Sequence, residues 1–331
     1  MIKLSTEVAL PEVPVKLSYR RKSMMMGSCF AESVGTKLQE LCFPIDVNPF
    51  GILYNPVSIA NSLEILLTGR IFNEEDLFFA NGLWNSFWHH SRFSNADKQE
   101  CLINMNNRIT HSAKTLRESN LLFVTFGTSW VFEDKSSGRI VSNCHKLPAS
   151  TFRHYRLTYN QIADIWISLT EKIFNINPDL QLVFTVSPIR HLKDGEHENQ
   201  LSKAILLVAV DEVIKHFRGE RILYFPSYEI VLDELRDYRF YASDMVHMND
   251  VAINLIREKV ESVFIDAEDR KIAAEIEKLR QALDHKPLNC ENDEYKDFIE
   301  KQIGKVLQLK DKFNYLDLKL ILNEFYSKRV S

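Results

Sequence analysis

No stretch of this chain approaches the ~18 consecutive apolar residues that a membrane-spanning helix needs. The N-terminal MIKLSTEVALPEVPVKL lacks the apolar core and small-residue cleavage site of a secretory signal, so a cytoplasmic location is expected. Glycine and proline are scarce, 10 of each in 331 residues, which excludes collagen-like and low-complexity sequence. A positive excess is missing too. The 41 Lys and Arg stand against 45 Asp and Glu for a formal net charge of -4, so no global field gathers nucleic acid or holds an anionic membrane. The five cysteines, at 29, 42, 101, 144 and 290, form no C-x-x-C pair and are odd in number. That suits free thiols in a reducing compartment and gives no sign of a disulfide framework or a zinc site.

What remains is ordinary globular composition, 45% hydrophobic and 26% charged, in a chain long enough for a substantial core. Short apolar runs alternate with longer stretches of helical periodicity, the pattern of an α/β fold with a mainly parallel sheet. Strands are expected at Lys22 to Met26, Ile45 to Val47, Leu121 to Phe126, Gln181 to Ser187 and Arg221 to Phe225. Between them Phe30 to Leu41, Ser58 to Leu67, Asn160 to Phe174, Asn199 to Phe217 and Val251 to Phe264 carry apolar residues at helical spacing. Together they predict a flavodoxin-like three-layer α/β/α sandwich over residues 1–265. Two insertions interrupt the rhythm, Asp76 to Asn95, rich in aromatics and histidines, and Trp130 to Asn143, a hairpin turning at Ser137-Gly138. Residues 266–331 read as a helical C-terminal extension, one helix ending at Pro287 and another starting near Asn292. Its apolar stripe could dock on the main domain or on a second copy of the chain, giving a homo-oligomer.

The first strand runs through Gly27-Ser28-Cys29 straight into a helix, an order that lifts a small side chain to the carboxyl edge of a parallel sheet. Ser28 there is either a nucleophile beside the unpaired amides of the helix or merely an N-cap. Asp244 and His247, a D-x-x-H spacing between the last strand and the last core helix, can place carboxylate and imidazole within one turn. Asp244 would orient His247, and His247 would act as general base. Cys29 could compete as a thiolate at the same helix start, but it reads as a packing residue, as do Cys42 and Cys101. His89 and His90 are adjacent and cannot readily share a metal ion, so no metal is expected. With Trp84, Phe87, Trp88 and Arg92 they form either an aromatic wall over the active edge or a small satellite core. Arg190 and His191 follow the fourth strand and are pocket candidates, although Arg190 could simply pair with Asp194 or Glu196. Asn199 and Lys203, opening the next helix, read as solvated face.

The string GSCFAE at Gly27 to Glu32 resembles the signature of the GSCFA-domain family, which is assigned by similarity to SGNH (GDSL-type) hydrolases. The same family is resembled, in order, by NPFGILYNP at Asn48, SFWHHSRF at Ser86, FGTSW at Phe126, NCHKLPA at Asn143, SPIRH at Ser187 and RDYRFYASDMVH at Arg236. The resemblance implies an SGNH-like catalytic domain with Ser28 as nucleophile, His247 as base and Asp244 as its partner. It also implies an oxyanion hole made by the N–H groups of Ser28 and Gly51. Ser129 stands where SGNH enzymes carry asparagine, so the hole is weaker or Asn48 or Asn143 supplies the missing donor. The implied function is a serine esterase or acyltransferase acting on an O-acylated small molecule or carbohydrate, without cofactor. The alternative is a non-catalytic ligand-binding protein with an impaired oxyanion hole. Substrate-binding candidates are Asn48, Trp84, His89, His90, Arg92, Asn143, Arg190 and His191.

Overall fold

The computed structural model describes residues 6–285 and 293–330. Cys290 and the helix stop expected at Pro287 lie outside them. The first strand, β1 (Lys22–Gly27), alternates its methionines between two faces, Met25 to one core and Met24 and Met26 to the other. Helix α1 (Cys29–Glu40) begins as soon as the strand ends. After β2 (Ile45–Val47), Asn55 caps α2 (Pro56–Thr68) by accepting the Ser58 N–H, and Gly69 closes it in the left-handed conformation. A short hairpin of β3 (Phe78–Ala80) and β4 (Leu83–Asn85) and the long α3 (Lys98–Glu118) lead into β5 (Ser119–Phe126). A small antiparallel sheet follows, formed by β6 (Trp130–Asp134), β7 (Ile140–Val141) and β8 (Phe152–Arg156). Asp134 accepts hydrogen bonds from Ser136 and Ser137 and shapes the expected turn before Gly138. The alternation then resumes through α4 (Tyr159–Ile176), β9 (Gln181–Val186), α5 (Glu196–His216) and β10 (Ile222–Tyr224). A helical turn, α6 (Ser227–Glu229), and α7 (Asp250–Phe264) complete the main body.

The central sheet is all parallel in the order β10-β9-β5-β1-β2. Its strands are apolar on both faces because helices cover both. Leu121, Phe123 and Val183 point into the core with α1 and α7, while Leu122, Val124, Leu182 and Phe184 point into the core with α2, α3, α4 and α5. This is the expected three-layer sandwich, with strand ends within two residues of those predicted. Helix α3 and strand β8 were not foreseen, since α3 is largely polar apart from one stripe and β8 carries two arginines and a histidine.

The extension forms α8 (Ala267–Asp284), α9 (Asp293–Lys312) and α10 (Lys319–Val330). Ile272, Ile276, Leu279, Ile299, Ile303, Val306 and Phe325 are buried in the same core as α1 and α7, so this stripe is covered by the chain's own residues. Arg280 ties the layers, its Nε donating to Glu40 O at 3.1 Å and its Nη1 to both carboxylate oxygens of Glu324 at 2.9 Å. Among the described residues no helix is long and apolar enough to cross a membrane.

The junction of β1 and α1 is the tightest point of the sheet edge. Gly27 has φ +137°, and a Cβ there would lie 2.1 Å from the Thr125 carbonyl oxygen. Gly27→Ala should therefore destabilise the chain by ~3 kcal/mol, measured as a lower urea midpoint, and an unchanged midpoint would show that the junction has slack.

Candidate active site

The residues that follow each strand of the parallel sheet gather at its carboxyl edge. At β1, Asn48 holds the turn: its Oδ1 accepts the Gly27 N–H at 2.8 Å, and its Nδ2 donates to Glu32 at 2.9 Å. Ser28 is the N-cap residue of α1 by position but makes no side-chain cap bond. It is 0% exposed, and its Oγ has no hydrogen-bond partner. Its N–H donates to Thr125 O at 3.3 Å, continuing the β1–β5 pairing. The Gly51 N–H likewise closes a turn onto Asn48 O at 2.8 Å. Both amides expected in the oxyanion hole thus already have carbonyl acceptors. Gly51 has a packing role, since a Cβ there would come within 2.2 Å of His90 Cβ.

The expected base is assembled in an exposed loop before α7. Asp244 Oδ1 accepts the N–H groups of Val246 and His247, each at 2.9 Å, and Oδ2 meets His247 Nδ1 at 2.7 Å. These bonds hold the Asp244 carboxyl down at about 2, so it stays ionised at neutral pH. With Nδ1 donating to the carboxylate, Nε2 is left to take a proton. Asn249 braces the loop through its Nδ2, which donates to Arg239 O at 2.6 Å. Asp244 and His247 are therefore together, whereas no hydrogen bond joins His247 to Ser28 among the described residues.

At the ends of β5 and β9 lies a group that sequence reasoning missed. Lys203, read as solvated face, is 1% exposed, and its Nζ donates to Gly127 O at 2.6 Å and Ser187 O at 2.7 Å, clamping the ends of β5 and β9. Beside it Ser202 Oγ accepts the Ser129 N–H at 2.8 Å and bonds Ser129 Oγ at 3.0 Å. Ser129 is wholly buried in that contact, which makes it a brace rather than an open donor. Asn199, also read as solvated, is buried and accepts the His191 N–H at 3.0 Å. Helix α5 turns this polar face inward because Asn199, Ser202 and Lys203 share a stripe with Leu206 and Val210. Burial pushes Lys203 down to about 7. Burial, then the charges of Lys203 and His247, push His191 down to about 4, keeping it neutral where it packs edge-on against Tyr54 at 5.1 Å between centroids.

A cavity of about 240 Å³ opens beside His191, lined by Tyr54, Thr128, Trp130, Phe132, Asn143 and His154 among others. His154 is stacked between Trp130 and Phe132, at centroid distances of 4.7 and 4.1 Å, and its Nε2 lies 2.9 Å from Asp194 Oδ1. Asp194 is thus engaged by His154 and not by Arg190, which is exposed. The aromatic wall comes from β6 and β8, not from the insertion at 76–95. Trp84 packs with Phe79 and Lys98, and His89 is buried among Phe50, Phe72 and Phe93, where burial pushes its pKa down to about 3 and keeps the ring neutral. His90 Nδ1 accepts the Arg92 N–H, while the Arg92 guanidinium pairs with Glu32 at 2.9 Å and donates to Asn48 O. This insertion is the satellite core of the two forms expected for it. Of the substrate-binding candidates, the cavity is lined by Asn143 and His191.

Residues 22–260 match the GSCFA family and residues 276–328 the C-terminal domain of GSCFA domain proteins. The chain belongs to the GSCFA family. No curated protein matches it by sequence. Among solved structures it is similar to a family 3 carbohydrate esterase of Clostridium thermocellum, at 12% identity and a TM-score of 0.35, covering 76% of this chain and 98% of that one. It is also similar to an acetyl xylan esterase of Butyrivibrio proteoclasticus, at 10% identity and a TM-score of 0.35, covering 82% of this chain and 66% of that one. Likenesses this slight carry no residue correspondence. In this GSCFA chain the family's opening motif lies within electrostatic reach of Lys203, and His191 within that of Lys203 and His247.

Lys203 supplies a test of that edge. Its folded value of about 7 lies below the ordinary lysine value, so the unfolded chain binds more protons between the two. Stability from this residue therefore rises with pH across that window. The stability gap between wild type and Lys203→Met, from urea unfolding, should widen in favour of wild type from about pH 7 to about pH 9.5. A gap that stays constant would mean that Lys203 keeps its proton throughout.

Proposed function

We propose that this chain catalyses acyl transfer, as an esterase or acyltransferase of SGNH type acting on an O-acylated small molecule or carbohydrate. The observation that carries this reading is the Asp244–His247 pair, with an ionised carboxylate fixing the imidazole at 2.7 Å and leaving Nε2 as the proton acceptor. The nucleophile belongs to the turn after β1, where the family resemblance points to Ser28 and Cys29 stands beside it. His247 would take the nucleophile's proton during attack on the ester carbonyl and return it to the departing alcohol. Water as the second acceptor makes the enzyme an esterase, and an alcohol makes it an acyltransferase. The cavity wall of Trp130 and the stacked Phe132–His154 pair supports a substrate with a flat apolar face, such as a sugar ring bearing an acyl group.

The second function, ligand binding without catalysis, is favoured by the carbonyl partners of the Ser28 and Gly51 amides and by the burial of Ser129. Turnover separates the two. With a short-chain aryl ester, His247→Ala should lower kcat/KM by about 10²–10⁴-fold and Asp244→Asn by roughly 10²-fold, with the folded state checked by circular dichroism. A wild-type chain that binds acetylated sugars but turns over no ester would establish the binder instead.

A further inference from the structure

Two potential nucleophiles follow one another after β1, and their surroundings differ. Ser28 is sealed from solvent, its Oγ meets no base, and its amide is bound to Thr125 O. Cys29 is the first residue of α1 and is only partly buried, at the rim of the core beneath the sheet edge. The N–H groups of Cys29 and Phe30, first-turn amides that no carbonyl within the helix can accept, face its sulfur. Lys203, Glu32 and Tyr54 lie within electrostatic reach of it. The Lys203 Nζ is itself pinned in place by Gly127 O and Ser187 O. His191, next to Lys203, is in turn within electrostatic reach of His247. Cys29 therefore lies within electrostatic reach of α5 through Lys203 and of Tyr54, while the Ser28 side chain is sealed from solvent.

We propose that Cys29, and not Ser28, is the nucleophile of this site, its thiolate held by the first-turn amides of α1 and faced by the Lys203 ammonium. The assignment rests on the acyl-transfer function proposed above and names its reacting atom. Burial raises the thiol above its ordinary range, and the two amides and Lys203 oppose that rise without cancelling it. The resting group is thus a thiol, and a base is required at the moment of attack. His247 Nε2 takes the S–H proton as the sulfur pair forms a C–S bond to the ester carbonyl and the carbonyl π pair moves onto oxygen. When the oxyanion collapses, the C–O bond breaks and the departing alkoxide takes the proton from His247, leaving a thioester on Cys29. Water or an acceptor alcohol, losing its proton to the same imidazole, then attacks the thioester. The sulfur departs as a thiolate and recovers the proton.

The test is direct on the full chain. It is mixed with p-nitrophenyl acetate, quenched in acid, digested and mapped by mass spectrometry, while iodoacetamide alkylation of each cysteine is followed against pH. The acetyl group is expected on Cys29 and should be released by neutral hydroxylamine, as a thioester is. Alkylation of Cys29 should speed up as pH rises through and beyond the ordinary thiol range, and the alkylated chain should lose ester turnover. Cys29→Ala should lower kcat/KM at least about 100-fold. Cys29→Ser keeps the shape of the helix start, and any residual acetyl it carries should resist neutral hydroxylamine. An acetyl group on Ser28, or full turnover in folded Cys29→Ala or in the alkylated chain, would overturn the assignment and leave acyl transfer standing. No acetyl at either residue, together with turnover indifferent to His247→Ala, would overturn both.

Discussion

The close approach of β1 to β5 at their carboxyl ends is the constraint on which the rest of the molecule depends. Gly27 lies so near Thr125 O that no side chain fits, and Asn48 reaches back to hold its amide. That contact stops the strand, starts α1 without a loop, and sets Ser28 and Cys29 at the sheet edge. A parallel sheet delivers the other strand ends to the same edge, so the polar residues that follow β5 and β9 meet this turn by topology alone. The hydrophobic effect stabilises the layers, but this junction decides what they present.

The edge is made rigid by charge and polarity that the interior would ordinarily reject. A lysine with almost no exposure is tolerated because two carbonyl oxygens accept its protons, and the same bonds lock the turns after β5 and β9. Burial first and then the charge of Lys203 keep His191 neutral, and Lys203 also lies within electrostatic reach of Cys29. The D-x-x-H loop is the contrasting case, since Asp244 and His247 are both about half exposed and are positioned by an Asx turn rather than by packing.

The layers were legible in the sequence because the inner strands are apolar on both faces and most of the covering helices carry an apolar stripe, α3 being the exception. Met24, Met25 and Met26 read as strand from their run alone, and the pairing of Asp244 with His247 could be read from spacing. Lys203 was not legible as a buried group, because a charged residue at a helix start normally faces water. The available signal was its place on the stripe of Asn199, Ser202, Leu206 and Val210. For His89 the sequence left two forms open, a binding wall or a satellite core, because an aromatic and histidine cluster suits either; here the rings of Phe50, Phe72 and Phe93 enclose it. The carbonyl partners of the Ser28 and Gly51 amides were not legible, because a motif shows which amides are near the turn and not which of them already have a carbonyl acceptor.

The most direct measurement is a single turnover with enzyme in excess over an aryl acetate, reading alcohol release by stopped flow and protein mass by quenched flow on the same time base. Covalent acyl transfer at this edge predicts that alcohol release is matched by a transient gain of one acetyl group on the chain, and that both vanish together in His247→Ala. Alcohol release with no transient mass gain, at a rate the His247 substitution does not change, would contradict it.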